Sequence, residues 1–187
     1  YLYKQNLEGA LTCINKLQDK YIGHIVELYS TDEYKALTTK IIGSIFDTIR
    51  SCAKADFTSR EERIIVAQGE MLSTNMVTNY LLEQGYNVQL LPALEFMRTN
   101  ADKEPDLKYI KEHAEAILAA NAGKELYITQ GFICLNIDGE VDNLQRGGSD
   151  YTASLLGAAI GASEIQIWTD IDGMHNNDPR FVENTTP

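Results

Sequence analysis

Residues 144–170 read LQRGGSDYTASLLGAAIGASEIQIWTD and contain a glycine turn, an apolar helix pattern and an apolar strand pattern. The pattern predicts a helix that starts at Ser149 or Asp150 and ends at Gly161. A strand is predicted over residues 164–169, where EIQIWT is rich in apolar residues and precedes a turn. A helix followed at once by a strand is the repeating unit of α/β folds.

The rest of the chain extends this alternation. Three long helices are predicted first, over residues 7–29, from Ser30 to about residue 53, and from Ser59 to Gly85 with Gly69 inside the third. Then come a strand at 87–91, a helix from Asp106 to Asn121, a strand at 126–136 bent at Gly131, and a hairpin turn at Asp138-Gly139. We expect an α/β fold with a mostly parallel sheet, preceded by an N-terminal helical pair.

Two helix starts carry capping-box patterns. In the first, Ser30 is the predicted cap and Glu33 reaches back to it. In the second, Ser59 and Glu62 have the same spacing.

Composition excludes several classes of protein. The 187 residues suit one domain, and a net charge of -11 argues against binding nucleic acid or anionic membranes through bulk charge. No apolar run reaches the roughly 18 to 20 residues of a membrane span. The three cysteines are widely spaced, which is typical of unpaired thiols in a reducing cytoplasm, so we expect a cytoplasmic location.

The turn Arg146-Gly147-Gly148-Ser149-Asp150 is the first candidate site. Backbone N–H groups at a helix start favour an anion, and glycines allow its oxygens to approach the backbone. Arg146 could pair with a carboxylate or phosphate, and Asp150 could receive an ammonium group or help to position a metal-bound phosphate. The alternative is an ordinary turn with a good helix cap.

Two further candidates lie elsewhere. Thr169-Asp170 ends the predicted strand and opens an acidic loop that could hold a nucleotide, or could be a solvated turn. Gln68-Gly69-Glu70 puts a carboxylate beside a helical glycine, where it could bind an amine or be simple surface charge. Dinucleotide-binding and P-loop glycine motifs, zinc-ligand spacings and a nucleophile elbow are all missing from the sequence.

Several blocks in this order resemble the aspartokinase family of the amino acid kinase superfamily. They are Gln68-Gly69-Glu70 with Ser73-Thr74, Phe96-Met97-Arg98-Thr99, Gln130-Gly131-Phe132-Ile133, residues 144–153, Ile167-Trp168-Thr169-Asp170 and Asp178-Pro179-Arg180. Each block alone is weak, but their order and spacing together are specific.

The resemblance implies an activity and a fold. Mg²⁺-bound ATP would phosphorylate the β-carboxylate of L-aspartate, giving 4-phospho-L-aspartate and ADP for lysine, threonine and methionine biosynthesis. The fold would be a three-layer αβα sandwich, and the full-length protein a homo-oligomer. The substrates would be small molecules, with no nucleic acid, membrane or protein-bound metal involved.

The resemblance also implies roles for individual residues. Glu70 would bind the aspartate ammonium, Arg146 a substrate carboxylate, and Asp150 would organise the site beside the substrate. Gly147, Gly148 and Ser149 would line the phosphate-transfer region. The nucleotide would be contacted by Thr169, Asp170, His175 and Arg180, although the family usually has Tyr at the position of His175.

The resemblance further predicts where this chain departs from the family. A first strand with a Lys-Phe-Gly-Gly-Thr-Ser loop, a later Gly-x-Lys nucleotide loop and the regulatory ACT domains have no match in it. We therefore expect part of a catalytic domain, with residues 1–55 as a helical insertion and 56–187 as the αβ core, inactive or nearly so alone. The alternatives are a kinase for another amino acid, such as glutamate, and a ligand-binding fragment without catalysis.

Overall fold

The computed structural model describes residues 1–144, 147–168, 176–178 and 181–186. The α-helices and β-strands in these ranges are α1 (Leu7–Leu28), α2 (Asp32–Cys52), α3 (Ser59–Glu83), β1 (Val88–Leu91), α4 (Leu107–Ala120), β2 (Leu126–Thr129), β3 (Ile133–Leu135), β4 (Val141–Asn143) and α5 (Gly148–Ala159). Across the described residues, no helix combines the length and apolarity needed to cross a bilayer.

The first three helices share one apolar core. Ile25 of α1, Phe46 of α2 and Leu72 of α3 are buried together, and Phe46 has no exposed surface. The Tyr29 hydroxyl, just after α1, donates a buried hydrogen bond of 2.6 Å to the backbone oxygen of Met76 in α3. The predicted helical pair is confirmed, and it is packed onto the long third helix.

Both predicted cap residues are wrong by one position. The cap of α2 is Thr31 rather than Ser30, and the cap of α3 is Thr58 rather than Ser59. Each threonine has the extended backbone that a cap requires, so the residue after it already begins the helix. Glu33 does not close the first box; the carboxylate of Glu83 instead accepts hydrogen bonds from the amides that precede α2.

The box that starts α3 makes stability depend on pH through Glu61. This buried carboxylate accepts from the Thr58 backbone and hydroxyl and lies 3.2 Å from the Lys54 ammonium. The Thr58 hydrogen bond is the main cause that lowers the pKa of Glu61 to about 2. A lowered folded-state pKa adds stability above the ordinary value of 4.5, and that stability is lost as the pH falls toward about 2.

We therefore expect Glu61→Gln to lower the free energy of unfolding at about pH 7, with the deficit shrinking as the pH falls below about 4. Urea unfolding of both proteins across this range measures the deficit. Glu125→Gln, at an exposed carboxylate, is the matched control and should show no such pH-dependent deficit. An equal deficit at every pH would rule out Glu61 titration as its source.

The parallel pairing predicted for the sheet is present between β1 and β2. Their register runs from Val88 opposite Leu126 to Leu91 opposite Thr129, and α4 connects the two strands. The second core cluster lies here, around Phe96, Ile110 and Ile133. Because the strands are parallel, their carboxyl ends at Leu91 and Thr129 open at the same edge, where ligands bind in α/β folds.

The single bent strand predicted over residues 126–136 is two strands in separate sheets. β2 ends at Thr129, whereas β3 begins at Ile133 and pairs antiparallel with β4. Phe132 between them has a positive φ of 69°, a left-handed conformation that departs from the extended backbone of a regular strand. The predicted hairpin turn is confirmed, with Gly139 at a φ of 78°.

The predicted strand at 164–169 is wrong for its described part. Residues 164–168 have no regular secondary structure, because no strand in the described residues pairs with them. The Ile165 side chain packs instead against the Gly157 backbone of α5. Residue 169 lies outside the described ranges.

The three cysteines are unpaired, as predicted. Cys52 and Cys134 are buried, whereas Cys13 is exposed. Burial raises the pKa of the Cys134 thiol to about 12, so this thiol stays protonated at neutral pH.

Candidate functional site

The segment Gln130-Gly131-Phe132, at the carboxyl end of β2, lies against the start of α5. A Cβ on Gly131 would come within 3.0 Å of the Ser149 backbone, and the Phe132 amide donates to the Thr152 hydroxyl at 3.0 Å. The predicted glycine turn and the parallel sheet edge therefore meet at this segment.

The first turn of α5 is open toward solvent. Its cap residue is Gly147, which has a φ of 76° and offers no side-chain cap, so no side chain among the described residues caps the first amides of the helix. Side chains cap the other four long helices of the described ranges, through Asn6, Thr31, Thr58 and Asp106. Ser149 and Asp150 are exposed on this turn. Free amides at a helix start suit an anion.

The two glycines of the turn serve different purposes. A Cβ on Gly147 would meet no atom within 4 Å, so the surface there is open. Gly148 is buried, and its Cβ would lie 2.8 Å from the Phe132 ring and 3.2 Å from the Phe132 Cα. Both glycines were predicted to let a ligand approach the backbone, whereas Gly148 is required by packing against Phe132.

The space around Gly148 and Gly69 predicts opposite outcomes for alanine at these two positions. Gly148→Ala should destabilise the protein by about 1 to 2 kcal/mol, because overpacking outweighs the gain in helix propensity. Gly69→Ala is the matched control, since a Cβ there meets nothing within 4 Å in the middle of α3. It should stabilise the protein by up to about 1 kcal/mol. Chemical denaturation measures both, and stabilisation by both changes would contradict the close contact with Phe132.

Glu70 is the acidic candidate on α3. Its side chain is half-buried, and burial raises the pKa of its carboxyl above the usual range. Among the described residues, no cation and no hydrogen-bond donor contacts this carboxylate. The neighbouring Gly69 faces open space rather than a packed helix. A half-buried carboxylate costs free energy until a cation pairs with it, so Glu70 is suited to bind an ammonium group.

Two polar side chains connect the Glu70 turn to the sheet edge. The buried Gln130 amide accepts from the Ala93 backbone N–H and donates to the Thr74 hydroxyl, both at 2.8 Å. The Thr74 hydroxyl donates in turn to the Glu70 backbone oxygen at 2.7 Å. The helical turn that carries Glu70 and the start of α5 thus both contact one short segment, residues 130–132.

The remaining predicted site residues lie outside the described ranges. They are Arg146, Thr169, Asp170, His175 and Arg180. Their roles stay predictions from the sequence resemblance.

Sequence reasoning gave no role to Gln130, Thr74 or Thr152. Gln130 carried a signal, because an amide that directly follows an apolar strand and precedes a glycine needs buried partners. The two threonines looked like ordinary helix residues, and only the fold shows which donors their hydroxyl groups accept from, the Gln130 amide for Thr74 and the Phe132 N–H for Thr152.

No group of three or more His, Cys, Asp or Glu side chains in the described residues is arranged to hold a metal ion.

Comparison with known proteins identifies relatives of one kind. The Amino acid kinase family model matches residues 14–187. Lysine-sensitive aspartokinase 3 of Escherichia coli is 40% identical over 121 residues, which are 63% of this chain and 27% of that protein. Aspartokinase 1 of Bacillus subtilis is 32% identical over 128 residues, 68% of this chain and 32% of that protein. The matched part thus spans about a quarter to a third of these relatives.

A solved structure extends the similarity over almost the whole chain. Escherichia coli aspartokinase III, crystallised with aspartate and ADP, superimposes with a TM-score of 0.75 and 28% identity. The match covers 92% of this chain and 39% of that one. The predicted α/β sandwich and the resemblance to aspartokinases are thereby confirmed. With a family model that matches residues 14–187, this chain belongs to the amino acid kinase family.

Proposed function

We propose that the protein is an aspartate kinase, which transfers the γ-phosphoryl group of ATP to the β-carboxylate of L-aspartate. The observation that carries the proposal is the half-buried carboxylate of Glu70, which has no partner in the described residues. The backbone that carries Glu70 is bonded through Thr74 to Gln130, and the segment 130–132 is bonded in turn to α5 through the Phe132 amide. The Glu70 carboxylate suits an ammonium group, and the first turn of α5 suits an anion. The aspartokinase III relative was crystallised with aspartate and ADP, which supports the same pair of ligands here.

The amino acid would be held by charges of both signs. Glu70 would bind its ammonium group, Arg146 a carboxylate, and Asp150 on the exposed first turn of α5 would organise the site beside it. Pairing with an ammonium group would offset the free-energy cost of half-burying the Glu70 charge.

The phosphates would lie at the start of α5. Gly147 leaves open space there, and in the described part of the chain no side chain caps the first amides of the helix, which fits a phosphate. Gly148 and Ser149 complete this turn, and Thr169, Asp170, His175 and Arg180 are proposed to contact the nucleotide. Mg²⁺, carried by the ATP phosphates, would supply charge neutralisation in the transfer.

The reaction requires positioning more than acid–base chemistry. An oxygen of the aspartate β-carboxylate forms a bond to the γ-phosphorus while the bond from that phosphorus to the bridging oxygen breaks, and ADP leaves. The attacking carboxylate is already deprotonated at neutral pH, so no general base is needed. Donors that hold two anions together supply the main catalytic effect.

The proposal extends to the biological setting. The product would feed lysine, threonine and methionine biosynthesis in the cytoplasm, and the full-length enzyme would be a homo-oligomer. Residues 1–55 would be a helical insertion in the catalytic domain.

A substrate-panel assay tests the proposal. ADP formation from ATP in the presence of Mg²⁺ is measured with aspartate, with glutamate and with no amino acid. The assay compares the full-length protein that the gene encodes (the gene-encoded protein) with the 187-residue chain. We expect ADP formation that depends on aspartate in the gene-encoded protein and little or none in the 187-residue chain. Turnover of glutamate in preference to aspartate would overturn the assignment, and equal activity of both proteins would overturn the expected inactivity of the chain alone.

A further inference from the structure

Gln130 is held in one orientation by its partners. It has no exposed surface, and its side-chain oxygen must face the Ala93 N–H, which can only donate. Its amide nitrogen therefore faces the Thr74 hydroxyl. Both bonds are 2.8 Å long, so the side chain connects the end of β1 to the middle of α3.

The Thr74 hydroxyl is also hydrogen-bonded to the helical turn that carries Glu70. It accepts from Gln130 and donates its only proton to the Glu70 backbone oxygen at 2.7 Å. Thr78, one turn later in α3, makes the same kind of bond to the Thr74 backbone oxygen at 2.7 Å. The Thr78 hydroxyl has no bond to Gln130 in the described structure, so Thr74 connects the helix to the sheet edge and Thr78 does not.

The opposite side of the same segment is fixed to α5. The Phe132 amide donates to the Thr152 hydroxyl, and that hydroxyl donates to the Gly148 backbone oxygen at 2.8 Å. Gly131 also packs against Ser149 so closely that a Cβ would not fit. The segment 130–132 is therefore bonded both to α3, which carries Glu70, and to α5.

We propose that Gln130 and Thr74 are positioning residues that set the location of Glu70 relative to the first turn of α5. This inference rests on the proposed function, in which Glu70 binds the amino-acid ammonium and α5 the phosphates. Transfer requires the carboxylate and the phosphorus to meet within a narrow range of distance and angle. Neither residue needs to touch the substrate, and each acts through the backbone that carries Glu70.

Three threonine variants of the gene-encoded protein test the connection. Thr74→Val removes the hydroxyl but keeps the shape, and we expect kcat/KM for aspartate to fall by about 10-fold to 100-fold, mainly through KM, with the ATP KM within about twofold. Thr74→Ser keeps the hydroxyl and should restore the aspartate KM to within about threefold. Thr78→Val is the matched control, because it loses an equivalent hydroxyl without a bond to Gln130, and it should leave the aspartate KM unchanged.

A purely structural role would give a different pattern. Thr74→Val and Thr78→Val would then lower the melting temperature and the amount of active enzyme alike, with the aspartate KM unchanged in both. That result would overturn the positioning role while aspartate turnover by the wild type left the proposed function intact.

Hydrogen exchange gives a readout that does not depend on activity. Gln130→Ala should speed exchange of the Ala93 amide, and Gln130→Glu, which keeps an acceptor oxygen, should retain most of its protection. Faster Ala93 exchange in Gln130→Ala together with no aspartate turnover by the wild type would support the Gln130 bridge and reject the proposed function. Unchanged Ala93 exchange in Gln130→Ala would overturn the bridge itself.

Discussion

Glu70→Gln is expected to abolish most aspartate binding and, at the same time, to stabilise the protein at neutral pH. Loss of one member of a desolvated charge pair costs about 2 to 5 kcal/mol, which is about 30-fold to 4,000-fold in the dissociation constant. Without the ligand, the Glu70 carboxylate is half-buried with no cation among the described residues, and burial raises its pKa. A neutral amide at this position removes that cost.

The sign of the pH dependence follows from the raised pKa. The folded protein holds the Glu70 proton more tightly than the unfolded chain, so the contribution of Glu70 to stability falls as the pH rises from 4.5 through the folded-state value. Aspartate binding has the opposite dependence, because the ammonium group needs the charged carboxylate. We expect binding to weaken as the pH falls through the pKa of Glu70.

Isothermal titration with aspartate and urea unfolding, both on the gene-encoded protein, measure the two effects. Glu62→Gln, at an exposed carboxylate on the same helix, is the matched control and should leave binding unchanged. Retention of aspartate affinity by Glu70→Gln would remove Glu70 from the site. A loss of stability at neutral pH would show that the carboxylate has a stabilising partner.

Arg146→Ala should impair the use of aspartate far more than the use of ATP. The resemblance assigns a substrate carboxylate to Arg146, which directly precedes the open cap residue Gly147 in the sequence. Loss of a buried charge pair with that carboxylate should cost about 2 to 5 kcal/mol in kcat/KM for aspartate. The ATP KM should change by less than about threefold, because Arg146 is not assigned to the nucleotide.

Steady-state kinetics with each substrate varied in turn measures this difference. Arg60→Ala is a matched control, since Arg60 pairs with Glu140 on the exposed surface at 2.9 Å. A surface pair of this kind should contribute little to turnover. An unchanged aspartate KM and kcat in Arg146→Ala would remove Arg146 from the site, and an equal effect on both substrates would indicate a general structural role.

The helices could be predicted because their signals are local. Apolar spacing identified α1, α2 and α3, and the predicted start of α4 at Asp106 is confirmed, with Asp106 as its cap. The two cap residues predicted for α2 and α3 were wrong by one position because serine and threonine stand side by side at each start. Either residue can cap, and only the backbone angles decide between them.

The errors in the strands have a different origin. The apolar run from Leu126 to Asn136 gave no sign of where the chain leaves one sheet for another, because a positive φ at Phe132 is unusual for a bulky residue. The run at 164–168 has strand-like composition but no pairing strand in the described residues. Strand formation depends on partners distant in the sequence, which composition does not reveal.

The charged residues of the candidate site could be predicted from the sequence, whereas the contacts that hold them in place could not. Glu70 and the glycine turn were found from the sequence, and the structure brings both to the segment 130–132. The distinct purposes of Gly147 and Gly148, and the bridge through Gln130, depend on contacts between elements that only the fold brings together. These contacts bring the separate sequence motifs together in one site.

The most direct test of the account is to identify the product. A carboxyl group that has received a phosphoryl group reacts with hydroxylamine to give a hydroxamate. Aspartyl phosphate that the gene-encoded protein forms from ATP and aspartate, in the presence of Mg²⁺, can therefore be trapped in this way. We expect aspartyl hydroxamate in proportion to the ADP formed, and none when aspartate is omitted or in Glu70→Gln at low aspartate concentration. ADP formation without hydroxamate, or independent of aspartate, would contradict aspartate kinase activity.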